Sequence, residues 1–147
     1  MSLLKLVLDT NIVVSALLWG GQPYQFIRIA TEGNIELFTS EPLLVELRDV
    51  LARPHLAQRL TRYRATVEQA IAQYGELTQC VRPQATPRVV SRDADDDHVI
   101  AAAVAAQADL IVSGDTHLLS LGSHQGIAIV TASQALERIS RAETFRV

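Results

Sequence analysis

The chain has 147 residues, of which 48% are hydrophobic and 20% are charged, a balance typical of one ordinary globular domain. No apolar run approaches the roughly 20 residues that cross a bilayer, and the first residues lack a cleavable leader pattern, so we expect no membrane association and a cytoplasmic location. The single cysteine, Cys80, excludes an internal disulfide and a cysteine-based metal cluster.

The net charge of −3 argues against a nucleic-acid partner, because contacts to phosphate need cations. The arginines are nevertheless concentrated in two groups, and the second contains Arg82, Arg88 and Arg92. Each arginine alone is best explained as solvent-exposed helix surface, whereas the set would suit a phosphate backbone, since Arg binds phosphate in a bidentate way. The first group contains Arg48, Arg53, Arg59, Arg62 and Arg64.

Hydrophobic periodicity and turn residues predict strands that alternate with helices. Ser40 and Pro42 are typical of a helix start, Arg53-Pro54 is expected to end or kink that helix, and Gly75 is expected to end the next one. The predicted strands cover 4–8, 35–40, 77–81, 109–113 and 127–131, and the predicted helices cover 11–18, 23–32, 42–52, 64–75, 95–107 and 132–141.

This alternation indicates an α/β fold with a parallel sheet and helices on both faces. In such a sheet the ligand site lies beyond the carboxyl ends of the strands. Asp9 directly follows the first predicted strand and Asp115 follows the fourth, so both belong at that edge. Taken singly, each is better explained as a helix cap or an Asx-turn.

Glu46 lies on the apolar face of the helix after the second strand, three residues after Leu43 and four before Val50. An ionised carboxylate that faces the core is costly unless it is paired or binds a cation. The alternative is a partner such as Arg48 or Arg92, or a solvated position at the margin of the apolar face. Because unpaired acids are rarely buried, the functional interpretation is modestly favoured.

Acidic residues also crowd the start of an Ala- and Val-rich helix. The helix macrodipole favours one or two acids there, but this many like charges repel one another unless something neutralises them. Two of the acids share a helix face with Ile100, so either is expected to point inward. The four acids are Asp93, Asp95, Asp96 and Asp97, and the inward candidates are Asp96 and Asp97.

Acids from four elements therefore meet on one rim of the predicted sheet. A divalent cation would relieve their mutual repulsion. The ligands would be oxygen atoms only, which favours Mg²⁺ or Mn²⁺ over zinc or copper. Helix N-termini at the same edge would also favour an incoming phosphate.

Other side chains have plainer explanations. His98 is expected to face away from Asp97, and Cys80, in an apolar strand, is expected to be a small core residue. The aromatic residues expected in the core rather than in base-stacking platforms are Trp19, Tyr24, Phe26 and Phe38.

The order of these segments resembles the PIN domain family. "LDTN" ends the first strand, "TSEPLLVEL" carries Glu46, and "DADDDHVIAAAVA" and "ADLIVSGDTHLL" carry the later acids. More closely, the chain is similar to bacterial PIN-family toxins of toxin–antitoxin pairs, of the VapC kind. The resemblance runs from Leu6 to about Ala135. It implies a single PIN-like domain over 1–147, folded as a three-layer α/β/α sandwich around a parallel sheet of about five strands.

The resemblance also implies roles for individual residues. The family's third acid usually lies three residues before the Ile-Ala-Ala run, which favours Asp97 over Asp96. The implied catalytic residues are Asp9, Glu46, Asp97 and Asp115, the implied metal ligands are these four and Asp96, and the residues at orienting positions are Thr10, Asn11 and Ser113.

The reaction implied by the resemblance is hydrolysis of single-stranded RNA to a 5′-phosphate and a 3′-hydroxyl. One or two Mg²⁺ or Mn²⁺ ions would activate a water and stabilise the leaving oxygen. Many relatives form homodimers, and a small antitoxin protein would be a partner. The arginines expected to position the RNA strand are Arg48, Arg53, Arg59 and Arg62.

Two other functions remain open. A small-molecule phosphohydrolase of the haloacid-dehalogenase type has a second acid two residues after the first-strand Asp, a position that Asn11 occupies in this chain. A catalytically inert PIN-like module would bind RNA or a protein without cutting, although the intact acid set argues against it. Fold alone does not decide between these functions.

Overall fold

The computed structural model describes residues 3–84 and 94–144, and the side chains of residues 94, 95 and 144 lie outside that description. Asp93, Asp95, Arg88 and Arg92 therefore cannot be placed at the candidate site. The strands are β1 Lys5–Leu8, β2 Glu36–Ser40, β3 Gln79–Val81, β4 Leu110–Val112, β5 Ser123–His124 and β6 Ile127–Val130. The helices are α1 Thr10–Leu18, α2 Gly21–Thr31, α3 Glu41–Leu51, α4 Pro54–Arg62, α5 Val67–Leu77, α6 Ala94–Ala106, α7 Thr116–Leu121 and α8 Ala132–Thr144.

The described strands form one sheet in the order β3-β2-β1-β4-β6-β5. All neighbours pair in parallel except β5, which pairs antiparallel with β6. The α/β class and the central, mostly parallel sheet are thus confirmed. The sixth strand was not predicted, because two residues are too few to show a strand periodicity.

Hydrophobic residues cover both faces of the sheet. Successive side chains of β1 point to opposite faces, so Leu6 and Leu8 join one core cluster while Val7 joins the other. The first cluster includes buried residues of α1, α2, α3, α4, α5 and α8, and the second includes those of α6 and α7. The result is three layers, with helices on both sides of the sheet.

The helices differ most from the prediction around α4 and α5. Pro54 ends α3 as expected, but it also occupies the first turn of a helix, α4, that the sequence did not predict. α5 begins only at Val67, where Thr66 and Gln69 form a reciprocal capping box, and it continues through Gly75 to Leu77. Gly75 therefore does not end this helix.

Several residues that were expected in the core are exposed. Cys80 is exposed because β3 is a short strand at the edge of the sheet. Trp19 is 55% exposed at the end of α1, and Tyr24 is 47% exposed on α2. Phe26 and Phe38 are buried, as predicted. Among the described residues, no helix has the length and apolar character needed to span a membrane.

Candidate active site

The fold places the ends of β1 and β4 beside each other at a reversal of the chain. From β1 the chain runs outward through β2 and β3, and it then returns to the other side of β1 as β4. The carboxyl ends of strands at such a reversal form the usual ligand crevice of open α/β sheets. A hydrogen bond connects the ends of β1 and β4, since the backbone N–H of Asp9 donates to the carbonyl of Val112 at 2.9 Å.

Asp9 is a buried carboxylate that is held on both oxygens. It is 6% exposed and is the N-cap of α1. Its Oδ1 accepts the backbone N–H of Thr10 at 2.8 Å, and its Oδ2 accepts the hydroxyl of Ser113 at 2.8 Å. These bonds fix the orientation of the carboxylate at the crevice.

Ser113 connects Asp9 to Asp115. Its side chain is buried, and its Oγ accepts the backbone N–H of Asp115 at 3.0 Å while its hydroxyl donates to Asp9. Asp115 is half-buried and caps α7, since its Oδ1 accepts the backbone N–H of His117 at 2.7 Å. A continuous series of hydrogen bonds, which we call the hydrogen-bonded chain, thus connects the ends of β1 and β4.

Two further acids are buried at the start of α6. Asp96 is 3% exposed and Asp97 is 1% exposed. α6 packs against β1, β2 and β4, so its first turn lies at the same edge of the sheet as the ends of these parallel strands. Both acids point inward, and burial therefore does not distinguish the preferred Asp97 from Asp96.

Glu46 reaches the same side of the molecule from α3. Leu43, Leu47 and Val50 are buried on the predicted apolar face of that helix, and Glu46 is half-buried beside them. Arg48, which was considered as its partner, pairs instead with Glu68 of α5 at 3.1 Å.

An open cavity of about 650 Å³ extends from Glu46 between α3 and α6. Of the polar residues that the structure describes in its lining, three are acidic, one is an arginine and one is a histidine. The polar residues that line it are Glu41, Glu46, Asp49, Arg53 and His98.

His98, which was expected to face away from Asp97, lines this cavity, whose described lining does not include Asp97. The sequence placed His98 correctly on α6 but contained no signal for the packing of α3 against α6, which brings the histidine to a cavity that Glu46 also lines. A contact between two helices that are distant in sequence depends on their crossing, which a single-helix pattern does not encode.

The remaining predicted residues differ in their surroundings. Thr10 is buried and its backbone holds Asp9, whereas Asn11 is exposed. Arg53 lines the cavity and Arg62 is exposed. Arg59 is engaged within the protein, since its Nε donates to the carbonyl of Leu18 at 2.9 Å.

The donor chemistry of this edge suits a hard divalent cation, because every predicted ligand offers carboxylate oxygens and three of them are buried. The positions of the side chains do not form a ready-made metal site. Within residues 3–84 and 94–144, no group of three or more His, Cys, Asp or Glu side chains is arranged to hold a metal ion. The predicted ligands fit such a cation by their chemistry, and binding one would require their side chains to draw together.

Buried carboxylates at a reversal of the strand order are the features of an α/β protein that binds its ligand at this edge of the sheet. The PIN domain family model matches residues 5–117, which include all the predicted acids. The chain belongs to the PIN domain family, whose members are generally metal-dependent nucleases. An uncharacterised protein of Methanocaldococcus jannaschii is 29% identical over 119 residues, which cover 80% of this chain and 75% of that protein.

Proposed function

We propose that this protein is a metal-dependent endoribonuclease that cuts single-stranded RNA. The main support is the hydrogen-bonded chain from Asp9 through Ser113 to Asp115, which ties two carboxylates across the ends of adjacent strands. Simple helix capping accounts for each acid separately but does not require a buried serine to connect them.

In this proposal Asp9, Glu46, Asp97 and Asp115 hold the ion, with Asp96 as an additional ligand, and the ion is Mg²⁺ or Mn²⁺. A bound divalent cation supplies an acidified water and stabilises negative charge at the phosphate. Ser113 and the backbone N–H of Thr10 keep the Asp9 carboxylate in one orientation, and the other ligands would draw in towards it.

The reaction breaks the bond between phosphorus and the 3′-oxygen. The attacking water adds its oxygen to phosphorus and loses a proton, while the leaving 3′-oxygen gains one. The products are a 5′-phosphate and a 3′-hydroxyl. In this proposal Arg53, which lines the same cavity as Glu46, pairs with a phosphate of the bound strand.

The biological role that fits this activity is that of a toxin in a toxin–antitoxin pair. A small antitoxin protein would block the crevice, and a homodimer would provide two of them. Co-expression with a small protein encoded beside this chain tests the role, since that protein would co-purify with it and stop RNA cleavage.

The nuclease activity is tested with purified protein and a labelled single-stranded RNA. We expect cleavage with Mg²⁺ or Mn²⁺, none with EDTA, and at least a hundredfold loss of kcat for Asp9→Asn and Asp115→Asn. Asparagine retains helix-capping ability, so the loss would not reflect unfolding. Circular dichroism checks that both variants stay folded.

Asp109→Asn is the matched control. Asp109 precedes β4, at the opposite end of the strand from Asp115, where its Oδ2 accepts the backbone N–H of Lys5 at 2.8 Å. We expect this variant to cut normally. If Asp9→Asn and Asp115→Asn also cut normally, the proposed site is wrong. If the wild-type protein binds RNA and never cuts it, the chain is an inert PIN-like module.

A further inference from the structure

A cluster of exposed aromatic rings lies outside the acidic crevice. Trp19, at the end of α1, is 55% exposed, and Tyr63, at the end of α4, is 61% exposed. The guanidinium of Arg59 lies over both rings, 4.7 Å from the centroid of Trp19 and 5.6 Å from that of Tyr63. We call these three residues the aromatic platform.

The platform is fixed before any ligand arrives. The Nε of Arg59 donates to the carbonyl of Leu18 at the end of α1, and its Nη2 donates to the hydroxyl of Tyr63 at 3.3 Å. A cation at a helix C-terminus is favourable, and its stacking on both rings restrains them. Large, exposed rings that are already ordered lose little entropy when another flat group stacks on them.

The segment that carries Arg59 and Tyr63 is positively charged, although the chain as a whole is negative. The sequence from Ala52 to Val67 contains no Asp or Glu, and it supplies four arginines to α4 and its ends. This charge opposes association of two copies through the same surface, because an isologous contact would place the two positive patches face to face. The four arginines are Arg53, Arg59, Arg62 and Arg64.

α4 connects the platform to the candidate active site. It begins next to Arg53, which lines the cavity with Glu46, and it ends next to Tyr63. Its nine residues span about 13 Å at 1.5 Å per residue. A strand bound along α4 therefore reaches both the platform and the mouth of the cavity.

We propose that the aromatic platform and the arginines of α4 bind single-stranded RNA next to the acidic crevice, with bases stacked on Trp19 and Tyr63. Aromatic rings beside a positive track are the recurring solution for binding single strands without sequence preference. This inference rests on the proposed nuclease function for its biological meaning, but binding can be measured without catalysis.

The test uses the fluorescence of Trp19, the single tryptophan of the chain. The protein in EDTA is titrated with a 12-nucleotide oligouridylate, and stacking is expected to quench the emission. Tyr63→Ala is expected to weaken binding by about fivefold to a hundredfold, the range for one stacked base. Arg62→Ala is expected to lower the slope of log K against log salt by about 0.7.

Two exposed residues on other helices are matched controls. Tyr24→Ala removes an exposed ring that has no contact with Arg59 among the described residues, and Arg141→Ala removes an exposed arginine that pairs with Glu137 on α8. Both variants are expected to bind as wild type. Equal losses in a variant and its control would mean that binding is not localised, and the proposal would fail.

The remaining outcomes are also decisive. Quenching that depends on protein concentration and not on RNA would identify the platform as a protein interface and overturn the proposal. RNA cleavage without quenching, or without an effect of Tyr63→Ala on binding, would overturn the platform but not the nuclease. Quenching by RNA without cleavage in Mn²⁺ would support the platform and reject the nuclease.

Discussion

Asp9 and Asp115 each cap a helix, and this role does not compete with metal binding. An ionised carboxylate has about four lone-pair sites, so a capping bond leaves others available. The sequence predicted both positions, because Asp9 directly follows an apolar strand and Asp115 comes shortly after another. It indicated Ser113 only through the family resemblance, since a single serine after a strand has no pattern of its own.

Ser113 is expected to act as a positioning residue. Ser113→Ala removes the bond to Asp9 and the acceptor for the N–H of Asp115, and we expect this to lower the free energy of unfolding by about 1–3 kcal/mol. We expect the apparent affinity for Mn²⁺ to fall about 10–100-fold, as for other residues that orient metal ligands. The dependence of cleavage on Mn²⁺ concentration measures this.

Ser120→Ala is the control for that substitution. The hydroxyl of Ser120 donates to the carbonyl of Thr116 on the exposed side of α7, so its loss is expected to change stability by less than about 0.5 kcal/mol. An unchanged Mn²⁺ dependence in Ser113→Ala would show that the serine is only structural.

The helices show which local sequence signals are sufficient to predict where a helix begins and ends. α3 was predicted within one residue at each end, because Ser40 and Pro42 mark its start and its apolar face is regular. α4 was missed, because a proline after Arg53 was interpreted only as a stop and not also as the first turn of a new helix. Gly75 was over-interpreted, since the capping and packing of α5 outweigh the cost of about 1 kcal/mol for one helical glycine.

The N-terminal cap of α5 provides a testable prediction about a single helix. Thr66→Ala removes the side-chain cap that accepts the N–H of Gln69 at 3.1 Å, and it is expected to cost about 1 kcal/mol of stability. Thr61→Ala is the matched control, because the Thr61 hydroxyl only bonds back to the carbonyl of Ala57 within α4. Urea unfolding compares the two, and an equal loss in both would refute a specific capping effect.

At the scale of the whole molecule, the position of the candidate site could be predicted from topology alone. Parallel strands end at one edge, so acids that follow β1 and β4, or begin the helices after their neighbours, must approach that edge. Contacts between elements could not be predicted, and these include the cavity that His98 and Glu46 both line and the contacts of Arg59 with the exposed rings at the ends of α1 and α4. They depend on how helices cross, which is decided by packing.

Metal binding is expected to stabilise the whole fold. Mn²⁺ at a hundredfold excess over its Kd should raise the free energy of unfolding by about 2.7 kcal/mol. A double variant, Asp9→Asn with Asp97→Asn, should lose this gain, because two of the proposed ligands are then neutral amides. Thermal melts with and without the ion measure the effect.

Asp109→Asn again serves as the control and is expected to keep the full shift with Mn²⁺. An equal shift in the double variant would place the ion elsewhere on the molecule.

The exposed thiol of Cys80 on β3 makes the natural chain convenient to label. Cysteine and tryptophan each occur once in the sequence, so one maleimide dye attaches at one place and accepts energy from one indole. Movements between the sheet edge and the end of α1 can therefore be followed spectroscopically without altering a single residue.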